Sequence, residues 1–213
     1  MDSLVRWTGA CWIAAGVLLL AELAHPDALG IGFAASSLQT LWPAVHVAWV
    51  LAAVFLLFGL AGLIGRYGTA LGRLGIVGAA LAVPGLVVGA GLFLTEAFFF
   101  PELARQDAHL LELDGPILGS LALRLTAGVA GLWFLGLVLV GIAVERARVL
   151  PRRIGLLVAV ATAAFAAFEG PFVPVAGKVA VVVLSAALIG LGLALLAARD
   201  PDEPTVAEQR LAA

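Results

Sequence analysis

Residues 41–100 read LWPAVHVAWVLAAVFLLFGLAGLIGRYGTALGRLGIVGAALAVPGLVVGAGLFLTEAFFF, and they carry the clearest structural signal in the chain. Two long apolar runs, 41–64 and 74–100, flank a short turn that contains Arg66 and Arg73. About 20 helical residues are needed to cross a hydrocarbon core of roughly 30 Å. Each run is long enough for this, so the pair predicts two membrane-spanning helices joined by the arginine-containing turn.

Four further apolar runs lie before and after these two, at 4–24, 121–144, 154–169 and 175–198. Of the 213 residues, 63% are hydrophobic and 12% are charged, and the mean hydropathy is +1.13. A soluble domain of this composition would expose more apolar surface than water tolerates. In lipid, helices satisfy their own backbone hydrogen bonds, and these runs lack the alternation of a β-barrel. We therefore predict an all-α polytopic membrane protein, a six-transmembrane-helix bundle built from three helical hairpins.

Residues 1–198 are expected to form the single domain, and 199–213 a polar, disordered cytoplasmic tail. The run 4–24 is interpreted as the first span and not as a secretory signal, because it is longer than a usual signal core.

Arginine placement predicts how this bundle is oriented. In the six-span arrangement nine of the 12 basic residues fall on one side of the membrane, the side on which both termini lie. The positive-inside rule predicts that this side is the cytoplasm. These nine are Arg6, Arg66, Arg73, Arg146, Arg148, Arg152, Arg153, Arg199 and Arg210.

Ionisable residues interrupt the apolar runs in a regular way. Each odd-numbered run ends in a glutamate, and each even-numbered run begins near a base; the six are Glu22, Glu96, Glu169, His46, Arg124 and Lys178. An ionisable group in hydrocarbon costs several kcal/mol unless it is paired or hydrated, so such groups indicate a functional site. Five of the six, His46 excepted, share a helical face with small or weakly polar residues, as Glu96 does with Gly89 and Gly85. We therefore expect the six to meet inside the bundle, near its outer face.

The preferred functional hypothesis is a ligand site at that outer end, for binding or transport. It would take a small polar or amphipathic molecule, and its residues would be Glu22, Trp42, His46, Trp49, Glu96, Arg124, Glu169 and Lys178. One alternative is a membrane enzyme, an isoprenoid-type cyclase or isomerase, in which Glu96, Glu22 or Glu169 acts as a general acid on a lipophilic substrate. Another is a proton-coupled transporter in which the third span moves. The last is a structural membrane subunit whose charges only hold helices together as ion pairs.

Composition also bounds the partners and cofactors. The net charge is −2 without a basic run, which argues against nucleic acid. Cys11 is the one cysteine, so no internal disulfide or cysteine-based metal site is expected, and the three histidines lack metal-motif spacing. We expect no metal and no cofactor. The expected partners are the lipid bilayer and a small amphipathic ligand or lipid, with a homo-oligomer left open. The outer connections, 25–40 and 101–120, are expected to lie on the membrane or to cap the bundle.

Two segments carry a resemblance to known proteins. In 141–157, GIAVERARVLPRRIGLL, one span ends through Arg and the next begins through Leu-Pro-Arg and Gly. The first span opens with Arg6 and Gly9 and ends with Glu22. In both respects the chain resembles uncharacterised bacterial six-span integral membrane proteins of unknown function. The resemblance implies a bacterial plasma (inner) membrane protein, and it implies no activity and no functional residues.

Overall fold

The computed structural model describes residues 2–26, 32–169, 173 and 175–198, and the regular structure of these residues is entirely helical. The prediction of an all-α fold is therefore confirmed for this part of the chain. Two short 3-10 helices, Leu20–Ala24 and Ala108–Leu111, accompany the α-helices. The α-helices are α1 (Asp2–Leu19), α2 (Phe33–Ser37), α3 (Trp42–Phe98), α4 (Phe100–Gln106), α5 (Leu121–Ala130), α6 (Leu132–Ala147), α7 (Ile154–Phe168) and α8 (Ala176–Ala197).

Four continuous helical stretches of the described residues are long and apolar enough to cross a membrane, where the sequence predicts six spans. They are Arg6–Ala24, Trp42–Phe98, Leu121–Ala147 and Ala176–Ala197. The difference has two causes. The 57-residue α3 takes up two of the predicted spans, and α7, with 15 residues, is only about 22 Å long.

The long helix α3 folds back on itself at Gly72. A straight helix of 57 residues would be about 85 Å long. Instead, the indole Nε1 of Trp42 at one end donates a hydrogen bond to the backbone oxygen of Glu96 at the other, over 2.6 Å. Gly72 is the residue of α3 whose backbone is not helical (φ 61°, ψ −161°). Thus α3 consists of two antiparallel limbs, 42–71 and 73–98, and the turn predicted at 66–73 is largely helical with one sharp reversal.

The helices pack as neighbours around an apolar core. α1 contacts α8 and the first limb of α3, the second limb contacts α6, and α7 lies between α6 and α8. Glycines permit the close approaches: a methyl group on Gly9 would lie 2.7 Å from the backbone oxygen of Gly192, and one on Gly141 would lie 2.7 Å from that of Gly155. The first and last helices of the chain are therefore in direct, antiparallel contact.

Short helices cover one end of this bundle. A second apolar cluster, formed by Trp42, Phe100, Ala104 and Leu111, joins α2, α4 and the 3-10 helix Ala108–Leu111 to the start of α3. These helices belong to the two connections that the sequence analysis expected to cap the bundle, and the described part of both connections does so. Leu29 and Ile31 of the first connection lie outside the described residues. We call this end of the bundle the capped end.

The arginine-rich turns meet at the opposite end. Tyr67, just before the reversal of α3, lines one groove together with 148–151 between α6 and α7 and with Ala194, Ala197 and Ala198 at the end of α8. Six of the nine arginines assigned to one side therefore lie in or beside two turns that meet: Arg66, Arg73, Arg146, Arg148, Arg152 and Arg153. Arg199, Arg210 and the predicted tail 199–213 lie outside the described residues.

Candidate ligand site at the capped end

A buried three-residue ion cluster joins α1, α7 and α8. The Lys178 ammonium, in the first turn of α8, lies 2.6 Å from Oε1 of Glu22 and 3.3 Å from Oε1 of Glu169. Glu22 belongs to the 3-10 turn that follows α1, and Glu169 ends α7. Both glutamates are about 5% exposed or less, whereas the Lys178 side chain is 21% exposed. Two buried carboxylates therefore share one ammonium group.

A second acid–base pair joins the two limbs of α3. His46 Nε2 lies 3.2 Å from Oε2 of Glu96, and His46 Nδ1 lies 2.8 Å from the backbone oxygen of Trp42. A carbonyl oxygen can only accept, so Nδ1 must carry a proton. Nε2 therefore faces the Glu96 carboxyl group, and the two side chains form an acid–base pair across the two limbs.

His25 lies between the two groups. Its Nδ1 is 3.9 Å from Oε1 of Glu22, and its ring centroid is 5.1 Å from that of His46 and 4.9 Å from that of Trp42. It is 6% exposed. Sequence analysis did not include His25 in the site, although its place one turn after Glu22, at the end of the same span, is a usable signal.

A cavity of about 190 Å³ opens beside these groups. Its ionisable lining residues are Glu22, His25, His46, Glu96 and Glu169. Seven aromatic side chains form much of the remaining wall: Phe33, Trp42, Trp49, Phe93, Trp133, Phe134 and Phe165. Trp49 packs edge to face on Phe93 with ring centroids 4.9 Å apart, and Phe165 lies within 6 Å of Trp49, Trp133 and Phe134. The cavity is thus amphipathic, with charged groups at one end and ring faces around the rest.

Five of these aromatic residues were not predicted as site residues. Phe93 lies one helical turn before Glu96, so its position on the same face could have been read from the sequence. Phe33, Trp133, Phe134 and Phe165 come from other helices, and the sequence contains no spacing signal that links them to the site. The wall also holds an unpaired donor: the indole Nε1 of Trp49 is buried and has no hydrogen-bond partner among the described residues.

Most of the predicted site residues do come together. Glu22, Trp42, His46, Trp49, Glu96 and Glu169 line the cavity, and Lys178 binds two of their carboxylates. The small or weakly polar residues predicted to face inward with them are buried as well; they include Thr8, Ala15, Gly85, Gly89, Thr162 and Ser185. The inward-facing prediction is therefore confirmed for the faces that carry Glu22, Glu96, Glu169 and Lys178.

Arg124 does not belong to this group. Its side chain is exposed on α5, and a methyl group added to Gly128 on the same face would meet open space. The prediction that Arg124 faces the interior is wrong, because α5 is in contact with the bundle mainly near its end, at Ala130. Most of the first nine residues of α5 are exposed, and a long arginine there can reach the membrane surface.

If the charges only held helices together, the simplest arrangement would be one acid–base pair within each hairpin, and the observed pairing differs from it. Glu169 and Lys178 do pair within the last hairpin, but Glu22 reaches Lys178 from the first span and Glu96 pairs with His46 of the preceding span. The physical reason is that α1 packs against α8 and that the two limbs of α3 pack against each other. The ion pairs therefore connect the hairpins to one another.

Comparison of the chain with family models, with curated proteins and with solved structures finds no match.

Proposed function

We propose that this chain is a six-span protein of the bacterial plasma membrane whose cavity at the capped end binds a small amphipathic molecule. The two limbs of α3 count as two spans, α5 and α6 as one, and α1, α7 and α8 complete the six. The arginine-rich end faces the cytoplasm under the positive-inside rule, with both termini there, and the capped end faces outward. The bacterial location rests on the resemblance of 141–157 and of the first span to bacterial proteins.

The observation that carries the proposal is the cavity itself. Membrane protein interiors are close-packed, and at about 24 cal/mol per Å³ an empty volume of about 190 Å³ would cost about 4.6 kcal/mol in lost packing. If Lys178, Glu22 and Glu169 served only to hold helices together, larger apolar side chains beside them would remove that cost. A binding function therefore explains the cavity, and helix stitching does not.

Binding is also favoured over acid catalysis. A general acid would need a carboxyl group directed at the substrate and free to give up a proton. Glu22 and Glu169 bind the Lys178 ammonium, and Glu96 faces His46, so each of the three lining carboxyls of the described residues already has a basic partner. The arrangement suits a polar head group held by the charged end and an apolar part held by the rings.

Native mass spectrometry of the protein released from mild detergent tests this function. We expect the wild-type protein to retain a specific small molecule. Ala127 is exposed and lines the cavity, so Ala127→Trp should fill the cavity from its rim and abolish retention. Ala122→Trp, on an exposed part of the same helix outside the cavity lining, is the matched control and should retain the molecule. If the wild type releases only bulk lipid, or Ala127→Trp retains the same molecule, the proposed function is wrong.

A further inference from the structure

Carboxyl groups outnumber fixed cations around the cavity. Glu22, Glu96 and Glu169 line it, and Lys178 is the one lysine or arginine in contact with any of them among the described residues. Arg124, which the sequence suggested as a second fixed cation, is exposed on α5 and belongs to no ion pair in the described part of the chain. A bound cation beside these carboxyl groups would interact with them in a medium of low dielectric constant, where such interactions are strong.

The aromatic wall independently favours a cation. Ring faces attract cations that lie within about 6 Å of the ring centroid, and tryptophan is the strongest of the three aromatic residues in this respect. Trp49 packs edge to face on Phe93, and Phe165 lies within 6 Å of Trp49, Trp133 and Phe134, so these five rings form one continuous part of the wall, here called the aromatic box. Metal ions prefer oxygen ligands, whereas rings arranged in this way bind alkylated ammonium groups.

We propose that the head group of the bound molecule is a small organic cation, an alkylated or quaternary ammonium, held between the glutamate-rich end of the cavity and its aromatic box. This inference rests on the proposed function, and it names the chemical class of the ligand. The size agrees: an apolar cavity of about 150 Å³ holds benzene, so a volume of about 190 Å³ accepts a trimethylammonium group with a short chain.

Three probes of one shape separate charge from fit. Choline is a cation. The alcohol 3,3-dimethylbutan-1-ol has the same shape but is neutral, and 3,3-dimethylbutanoate has a similar branched frame but is an anion. Tryptophan fluorescence of the protein in nanodiscs reports binding directly, because Trp42, Trp49 and Trp133 lie in the wall. We expect choline to bind at least about tenfold more tightly than the alcohol, and the anion to bind most weakly.

Variants of the residues that line the cavity show which side chains cause the preference for choline over the alcohol. Glu169→Gln keeps the shape of the side chain and removes one of the two carboxyl groups that share Lys178, so it should reduce the preference for choline over the alcohol to about threefold or less. Phe93→Leu should reduce the same ratio by removing a ring face while keeping an apolar wall. Glu102→Gln is the control, because Glu102 is exposed, pairs with Arg105 and does not line the cavity. It should leave the ratio unchanged.

The outcomes distinguish this inference from the proposed function. If the alcohol binds as tightly as choline, the cavity binds ligands and the cation inference is overturned. If no probe binds but native mass spectrometry finds a retained molecule, an alkylated or quaternary ammonium group in that molecule supports the inference, and a neutral or acidic molecule overturns it. If no probe binds and nothing is retained, both the inference and the proposed function are wrong.

Discussion

Lys178 is a single ammonium group between two buried carboxylates. Removing its charge would leave Glu22 and Glu169 facing each other in a medium of low dielectric constant. Breaking a buried ion pair from one side costs about 3–5 kcal/mol, more than the intact pair contributes relative to neutral residues. The residue is therefore expected to matter more for stability than any exposed ion pair of the chain.

Lys178→Met should lower the free energy of unfolding by about 3 kcal/mol, because both carboxylates lose their cation. Reversible unfolding in detergent, followed by circular dichroism, measures this. Adding Glu22→Gln and Glu169→Gln should restore most of the loss. Arg105→Met is the control, since Arg105 pairs with Glu102 at an exposed site where an ion pair contributes less than about 1 kcal/mol. Equal losses in the two single variants would contradict the prediction.

His109, in the outer connection, provides a pH-dependent contact outside the spans. Its Nδ1 lies 2.8 Å from Oε2 of Glu112, and this hydrogen bond and the negative charge of Glu112 raise the pKa of His109. A raised folded-state pKa means that the contact stabilises the fold below the unfolded pKa of His109 and that this contribution is lost as pH rises through the folded pKa. The effect is local, because both side chains are exposed.

Glu112→Gln should therefore lower the pKa of His109 toward the ordinary histidine value, leaving only the weaker influence of Asp107 and Asp114. Nuclear magnetic resonance of ¹³C-labelled histidine, titrated with pH, measures the pKa directly. Glu102→Gln, elsewhere in the same connection, should leave it unchanged. An unaltered pKa in Glu112→Gln would show that the contact is not formed in solution.

At the scale of the elements, the reversal of α3 depends on one glycine. Gly72 combines a positive φ of 61° with a ψ of −161°, a region that is essentially restricted to glycine. Gly68, one turn earlier, has helical geometry, and an added methyl group there would meet nothing closer than 3.5 Å. The two glycines thus form a matched pair within one helix.

Gly72→Ala should lower the free energy of unfolding by about 1–3 kcal/mol, because alanine cannot adopt this backbone conformation without strain. Gly68→Ala should raise it by about 0.5–1 kcal/mol, because alanine has a higher helix propensity and space is available. Thermal unfolding of the two variants beside the wild type provides the measurement. A destabilised Gly68→Ala variant with a neutral Gly72→Ala variant would mean that the chain reverses elsewhere.

The elements also show what the sequence could and could not predict. The apolar runs located the helices well, because crossing lipid requires a length of apolar sequence that few other structures need. The partner of Glu22 could not be predicted, since it depends on which helix faces α1, and that is set by the packing of Gly9 and Gly16 against α8. Arg124 was misplaced for a related reason: its spacing is the same whether α5 lies against the bundle or apart from it.

At the scale of the whole molecule, the two ends of the bundle differ in their charge and in whether short helices cover them. Arginines surround the turns at one end, and short helices cover the ion cluster and the cavity at the other. Under the proposed topology this asymmetry would keep the arginine-rich end in the cytoplasm, since the translocation of arginine is disfavoured. A ligand would then reach the cavity from the outer side or from the outer leaflet.

Labelling with a membrane-impermeable maleimide tests that orientation. The single native cysteine, Cys11, is buried, and Cys11→Ala provides a background without thiols. Gln106→Cys, at the end of α4, should react in intact cells, and Thr69→Cys, near the reversal of α3, only after permeabilisation, because both positions are exposed at opposite ends of the bundle. The reverse pattern would invert the proposed topology.

The contact of Lys178 with Glu22 joins residues 156 positions apart, from the first span and the last. During synthesis the Glu22 carboxyl must therefore wait for this cation until the chain has been made as far as α8. A nascent chain that has not yet reached α8 lacks this contact, so the ion cluster can form only after all the helices between α1 and α8 have been made.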